Sequence, residues 1–201
     1  MSPIAIIFDF GGVLMKTQSH APRHAWDDRL GLPRGTVERI VHTSDSWRLA
    51  QIGQMSVAEY WADVAAQLGI DGAQLTQLEA DYFSADHLDP TLVILIQDLR
   101  AAGHRVALLS NDSPALLNKL TGLGIAHLFD PLVISGDIGV MKPDPSAYQI
   151  LLNQMGIPAD QTVFIDDMPA NISGAQAVGM HAIHYQNGTD LREALTPYLT
   201  R

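Results

Sequence analysis

Four small groups of polar residues in this sequence stand just after apolar runs, or on the loop that follows one. The groups are Asp9, Ser110-Asn111-Asp112, Lys142 and Asp166-Asp167. Carboxylates are the ligands that a hard cation such as Mg²⁺ prefers, while a lysine and small hydrogen-bond donors bind phosphate oxygens. A carboxylate can also attack phosphorus and form a covalent acyl phosphate. Brought to one place, these residue types would suit phosphoryl-group chemistry.

Apolar runs separated by helical stretches predict the elements that would bring these residues together. The runs are continuous rather than alternating, which is typical of strands buried on both faces of a parallel sheet. Ligands of such sheets bind beyond the carboxyl ends of the strands, where the polar groups lie. We therefore predict an α/β fold with a Rossmann-like parallel sheet of about five strands flanked by helices. The predicted strands are residues 3–9, 105–110, 131–135, 162–166 and 180–185, and the predicted helices are 89–103, 113–124 and 144–156.

Residues 17–86 break this alternation of strands and helices. They contain no convincing strand but several amphipathic stretches, and in the clearest of these Ser56 and Glu59 form a capping-box pattern at a helix start. All three tryptophans of the sequence lie here, and we expect them in the core of the interval. We predict an α-helical domain inserted after the first strand, while residues 1–16 and 87–201 form the sheet domain.

Composition limits the classes of protein and of partner. Of 201 residues, 47% are hydrophobic and 17% are charged, which is typical of a globular chain. A net charge of −10 argues against general binding to nucleic acid or to anionic membranes. The absence of cysteine excludes disulfides, thiolate nucleophiles and Cys-ligated zinc. No segment approaches the length of a membrane span, and we expect a cytoplasmic protein with no membrane partner.

The order of the polar groups resembles the haloacid dehalogenase superfamily of hydrolases, and the resemblance covers nearly the whole chain. The insertion after the first group is similar to the family's helical cap. The final segment, with Asn171 and Gly174 after the acidic pair, resembles sugar-phosphate phosphatases and the phosphatase domain of soluble epoxide hydrolases. The motifs are Asp9 in FDFGGVL, Ser110 in LLSND, Lys142 in GVMKPDP and Asp166-Asp167 in FIDDMPANISGAQAVGM.

The resemblance implies a catalytic nucleophile and a magnesium site. Asp9 would be the nucleophile and also a ligand of Mg²⁺, and the backbone carbonyl of Gly11 would be a second ligand. Asp167 would be the direct metal ligand from the acidic pair, and Asp166 would support it directly or through water. Asn171 would orient that loop.

The resemblance also implies a phosphate site. Ser110, together with the backbone N–H of Asn111, would bind the transferring phosphate. Lys142 would neutralise charge on Asp9 and on the phosphate. The implied substrate is therefore a small phosphorylated molecule, and the implied cofactor is Mg²⁺.

Gly11 departs from the usual pattern of the family, which has a second aspartate two residues after the nucleophile. That aspartate protonates the leaving oxygen and later activates water, and glycine cannot transfer a proton. We predict a Mg²⁺-dependent phosphatase for a small phosphomonoester, with sugar phosphates among the candidates. Two alternatives are a 2-haloacid dehalogenase, which also lacks the second aspartate, and a non-catalytic descendant that binds a phosphorylated ligand or a protein.

Overall fold

A computed structural model of the protein describes residues 4–199, and seven strands and eleven α-helices lie within that range. The predicted strand start at residue 3, and the chain ends assigned to the sheet domain, lie outside the described residues. The strands are β1 (Ala5–Phe8), β2 (Met15–Thr17), β3 (Asp86–Leu88), β4 (Arg105–Ser110), β5 (Leu132–Ile134), β6 (Thr162–Asp166) and β7 (His181–His184). The helices are α1 (Ala21–Leu30), α2 (Thr36–Thr43), α3 (Asp45–Gln51), α4 (Val57–Leu68), α5 (Gly72–Tyr82), α6 (Pro90–Ala101), α7 (Leu116–Gly122), α8 (Ser135–Ile138), α9 (Pro145–Met155), α10 (Pro169–Ala177) and α11 (Leu191–Leu199).

Five of the strands form one parallel sheet in the order β5-β4-β1-β6-β7. This confirms the predicted fold, and β4 and β6 have the predicted bounds. The continuous apolar runs are explained by two cores, one on each face of the sheet. In β1, for example, Ile6 and Phe8 belong to one core, while Ala5 and Ile7 belong to the other.

Helices cover both faces of this sheet and supply the rest of each core. On one face, α6, α7 and α11 contribute buried leucines such as Leu95, Leu120 and Leu195. On the other face, α9 and α10 contribute Tyr148 and Ile172. The parallel strands are therefore buried on both sides, and only their ends reach open space.

The segment between β2 and β3 holds the five helices α1–α5, which pack around a hydrophobic cluster of their own. Trp26 is buried in that cluster, as expected, whereas Trp47 and Trp61 are only half-buried and pack against it. The helix predicted from its capping box is α4, and Ser56 and Glu59 make both reciprocal bonds. The boundaries proposed for an inserted cap domain stay a prediction.

The expectation that residues 17–86 contain no strand is wrong at both ends. The strands β2 and β3 form an antiparallel ribbon at the base of the helical segment, in which Met15 pairs with Leu88 and Thr17 with Asp86. Each strand is three residues long and carries polar side chains, so neither has a hydrophobic pattern. The ribbon forms only when two segments far apart in the sequence pair with each other, so the local pattern of either segment does not predict it.

No helix within residues 4–199 is both long enough and apolar enough to cross a bilayer.

Candidate active site

The predicted site residues from three strands meet at one edge of the sheet. Strands β4, β1 and β6 are neighbours, and they end at Ser110, immediately before Asp9, and at Asp166 respectively. The N–H of Asp9 donates to the carbonyl of Ile165 at 2.9 Å, which continues the ladder between β1 and β6 as far as Asp9. Because the strands are parallel, their carboxyl ends present these side chains on the same side.

Lys142 reaches this edge from the loop before α9 and lies between two carboxylates. Its Nζ is 2.9 Å from Oδ1 of Asp9 and 2.7 Å from Oδ2 of Asp166, and its side chain is almost entirely buried. A buried ammonium requires such partners, since its desolvation is costly. The backbone N–H of Phe10 also donates to Oδ1 of Asp9 at 2.7 Å. Asp9 is thus held in one orientation by the lysine and by its own chain.

The side chain of Asn111 fixes the loop that carries Lys142. Its Nδ2 donates to the Lys142 carbonyl and its Oδ1 accepts from the Lys142 N–H, both at 2.8 Å. The resemblance assigned only the backbone N–H of Asn111, so this positioning role was not predicted. An amide beside a serine at a strand end was the available signal, but its partner lies 31 residues away.

Asp166 is completely buried, and all its contacts hold it in place. Asn171 donates through Nδ2 to both carboxylate oxygens at 3.0 Å, and the Met168 N–H donates to Oδ1 at 2.8 Å. Tyr148, which the sequence did not single out, donates its hydroxyl to the Asn171 carbonyl at 2.8 Å. These hydrogen bonds connect Asn171 to Asp166 and to α9 across the turn that follows β6.

Asp167 is half-buried and lies against Gly12. A Cβ added at Gly12 would stand 2.2 Å from Oδ2 of Asp167, and the φ of Gly12 is +74°, in the left-handed region. Glycine is therefore required twice at this position, for space and for conformation. The close approach places the Asp167 carboxylate next to the turn that follows Asp9.

Three carboxylates form a cluster that fits a divalent cation. Oxygen atoms of Asp9, Asp166 and Asp167 lie within 4.8 Å of one another. Burial raises the pKa of Asp9 to about 7; the Lys142 ammonium opposes this rise, and the Asp166 carboxylate adds to it. Burial and the Asp166 charge likewise raise the pKa of Asp167. When all three carboxylates are ionised, one lysine leaves two negative charges uncompensated, and an oxygen-ligated Mg²⁺ would balance them and favour the ionised form of Asp9.

Gly11 and Ser110 complete the predicted set. Ser110 is buried at the end of β4, next to Asn111. Gly11 is exposed, its φ is not in the left-handed region, and a Cβ added there would meet nothing within 4 Å. The structure therefore has room for a side chain at the position where the family usually has its second aspartate. It places no carboxylate there.

A cavity of about 430 Å³ opens from this edge of the sheet toward the helical segment. Gly11, Gly12 and Ser113 line its end nearest the carboxylates, and Asp112 also lines its wall. Burial raises the pKa of Asp112 to about 6, which the N–H of Ser113 and the charge of Lys119 oppose. The cavity, whose walls come from distant parts of the chain, was not predictable from local patterns.

The chain is similar to phosphatases of known name and to solved enzymes. It is 26% identical over 181 residues to a sesquiterpene phosphatase from Aspergillus oryzae, covering 90% of this chain and 88% of the relative. It is 27% identical over 208 residues to D-ribitol-5-phosphate phosphatase from Bacteroides thetaiotaomicron, covering 96% and 97%. The chain spans less than half of three other curated relatives that it matches.

The same fold occurs in a haloacid-dehalogenase-family enzyme from Bacteroides thetaiotaomicron, crystallised with magnesium and inorganic phosphate. The TM-score is 0.80 at 19% identity, over 96% of this chain and 99% of that one. The family model described as haloacid dehalogenase-like hydrolase matches residues 5–179, which include all the site residues described above. With the parallel sheet, the carboxylate cluster and the buried lysine at one edge, this protein belongs to the haloacid dehalogenase-like hydrolases.

Proposed function

We propose that this protein hydrolyses a small phosphomonoester with the help of Mg²⁺, through an aspartyl-phosphate on Asp9. The observation that supports this most is the position of Asp9, which shares a buried lysine with Asp166 and a carboxylate cluster with Asp166 and Asp167. Phosphatase names among the relatives agree with this reaction. The enzyme solved with magnesium and phosphate agrees with the cofactor.

The chain's own groups account for most of the proposed reaction. The Asp9 carboxylate attacks phosphorus, the bond from phosphorus to the leaving oxygen breaks, and that oxygen takes a proton from solvent water because Gly11 supplies none. Water then attacks the phosphorus of the aspartyl-phosphate, which releases inorganic phosphate and restores Asp9. Ser110 and the backbone N–H of Asn111 bind the phosphate oxygens, and Lys142 offsets their charge.

Asp9, Asp167 and the Gly11 carbonyl would hold Mg²⁺, with Asp166 as a further or indirect ligand. The cation supplies electrostatic stabilisation of the charge on the transferring phosphoryl group. Asp166 has both oxygens occupied by Lys142 and Asn171, whereas the Asp167 carboxylate lies beside the Gly12 turn. This difference favours Asp167 as the direct ligand.

Substrate preference follows in part from Gly11. General acid assistance is typically worth 10²–10⁴-fold, and the position that usually supplies it has no side chain. A substrate whose leaving group needs little protonation loses least from this absence. Of the two relatives named above, one is named for a sesquiterpene and the other for a polyol phosphate, so both kinds of substrate are candidates for this chain.

The proposal is tested with Asp9→Asn and p-nitrophenyl phosphate, with and without Mg²⁺. We expect the wild type to release phosphate with Mg²⁺, to lose this activity in EDTA and to regain it when Mg²⁺ is added back. Asp9→Asn should fold but release none, while the control Asp98→Asn, at an exposed position on α6, should match the wild type. Retained turnover in Asp9→Asn would exclude the aspartyl-phosphate.

A parallel assay separates the two alternative functions. Chelator-resistant release of chloride from 2-chloropropionate would identify a dehalogenase. If neither phosphate nor chloride is released across a broad panel of substrates, the protein is a binding descendant of the family.

A further inference from the structure

The cavity described above begins beside the turn that follows Asp9. Its near end is lined by Gly11 and Gly12, which follow Asp9, and by Ser113, which follows the phosphate-binding residues. A substrate whose phosphate lies at Asp9 therefore places its remaining atoms here.

The walls of this cavity are mainly aromatic and aliphatic. Neighbouring rings contact one another across the helical segment: Trp47 and Tyr60 have centroids 5.1 Å apart, and those of Tyr60 and Trp61 are 4.9 Å apart. Phe83 lies edge-on to Trp61. The apolar lining residues are Phe10, Met15, Val41, Trp47, Val57, Tyr60, Trp61, Phe83 and Leu116.

Arg23 and Asp86, two charged groups of the lining, already form an ion pair. Arg23 donates to Glu38 and to Asp86, and Asp86 also accepts from the Thr17 hydroxyl. The ammonium of Lys119 lies over aromatic rings, at 5.0 Å from the Phe83 centroid. Arg23 and Asp86 would have to give up existing hydrogen bonds before they could bind a hydroxyl group, whereas Lys119 would have to leave the aromatic rings.

The remaining polar groups of the lining are few and partly engaged. The Tyr60 hydroxyl donates to the Val41 carbonyl at 2.7 Å, and Oδ1 of Asp112 accepts from the Ser113 N–H. The His42 ring packs edge-on against Trp47 and Tyr82. A polyhydroxylated group would leave several hydroxyls without partners in this space, and each loss is costly. A hydrocarbon group has no hydrogen bonds to lose, and the burial of its apolar surface is favourable.

We propose that the substrate of this site is the monophosphate ester of an apolar alcohol, such as an alkyl or isoprenoid chain, with the chain lying in the cavity between the helical segment and the sheet. This inference rests on the proposed phosphatase function and specifies its substrate class. It favours the apolar candidate over sugar and polyol phosphates. The primary alcohols of both classes are similarly poor leaving groups, so the missing acid at Gly11 does not distinguish them and the walls of the cavity do.

The test compares esters of primary alcohols, which share similar leaving groups and differ in polarity. The probes are butyl, hexyl and octyl phosphate below their micelle concentrations, with glycerol 1-phosphate and ribitol 5-phosphate as polar counterparts. Each buried methylene contributes about a fourfold gain, so kcat/KM should rise with chain length. Octyl phosphate should exceed both polar esters by at least about 100-fold. A polar ester hydrolysed as well as octyl phosphate would overturn the inference and leave the phosphatase function intact.

Substitution of the cavity wall supplies a second measurement. Val57 is only half-buried and stands at the first position of α4, where an acidic residue is favourable for a helix, so Val57→Asp should fold. It places a carboxylate in the wall and should flatten the dependence of kcat/KM on chain length. Ile94→Asp, at an exposed site on α6 outside the cavity, should keep the wild-type slope. If Val57→Asp has the same dependence of kcat/KM on chain length as the wild type, the hydrocarbon chain of the substrate lies outside this cavity.

Binding measurements distinguish a wrong substrate class from a lack of hydrolytic activity. Calorimetry on Asp9→Asn measures affinity without turnover, and burial of a hydrocarbon chain gives a negative heat-capacity change. If no ester is hydrolysed but octyl phosphate binds at least tenfold more tightly than ribitol 5-phosphate, the apolar site stands and the hydrolytic function fails. Equal affinities would refute the apolar site whatever the activity.

Discussion

Gly11 is the residue at which this site differs most from the general chemistry of its family. It lines the cavity, it is exposed, and its backbone conformation is open to any L-residue. Nothing lies within 4 Å of the position that a Cβ would occupy. The missing acid is therefore not explained by lack of space. The neighbouring Gly12, by contrast, cannot be replaced without displacing Asp167.

Gly11→Asp is expected to add general acid catalysis. Phenyl phosphate and p-nitrophenyl phosphate have nearly the same shape, but phenol is the poorer leaving group and gains more from protonation. We predict that kcat for phenyl phosphate rises at least about tenfold, toward the usual 10²–10⁴-fold, while kcat for the nitro compound changes little.

Gly11→Asn is the matched control for that substitution, because it has the same shape and transfers no proton. Steady-state kinetics on both substrates, with both variants, give the four ratios needed. Equal changes for the two leaving groups would show that position 11 does not reach the reacting oxygen.

At the scale of elements, Arg23 on α1 connects several parts of the chain at the base of the helical segment. Its guanidinium donates to Thr17 on β2 and to Asp86 on β3, and also to Glu38 on α2. It lies over the Tyr82 ring at 4.3 Å and is almost fully buried. The two-stranded ribbon and the helices above it are therefore joined through one charged side chain.

Arg23→Met is expected to destabilise the protein because it leaves the Asp86 and Glu38 carboxylates without their buried partner. We predict that the free energy of unfolding falls by about 3 kcal/mol, in the range for breaking a buried ion pair. Urea titration followed by circular dichroism measures the change. Arg34→Met, which removes an exposed pair with Asp28, should cost less than about 1 kcal/mol. A similar loss in both variants would contradict the connecting role of Arg23.

At the scale of the whole molecule, the chain carries a net charge of −10, and part of that excess is concentrated in the cluster of Asp9, Asp166 and Asp167. Like charges in one buried place oppose folding, and a bound cation removes that opposition. The stabilisation should be largest in the sheet, because the three aspartates lie at the ends of its central strands. Metal binding and global stability are therefore expected to be linked.

Mg²⁺ is predicted to raise the melting temperature of the wild type. At a concentration about 100 times its dissociation constant, the ion adds about 2.7 kcal/mol, which corresponds to roughly 5–10 °C for a chain of this size. Differential scanning calorimetry in MgCl₂, and in NaCl of matched ionic strength, separates binding from screening. Asp167→Asn should lose the Mg²⁺ response. A response that NaCl reproduces would argue against a specific site.

Local patterns in the sequence were enough to predict the sheet and the ends of its strands. The runs at 105–110 and 162–166 are apolar at nearly every position, and a strand buried on both faces needs that pattern wherever it lies in the chain. The ribbon of β2 and β3 was missed for the opposite reason. Its residues are polar and few, and only pairing across the intervening 68 residues makes them strands.

The sequence by itself therefore determined which residues stand at the strand ends, among them Asp9 and Asp166, because burial leaves a local pattern. The tertiary structure alone decided what those residues contact. It placed Lys142 between the two carboxylates, turned Asn111 toward the lysine loop and exposed Trp47 to the cavity. Such contacts depend on distances between segments far apart in the chain, and these distances cannot be predicted from the residue types along one segment.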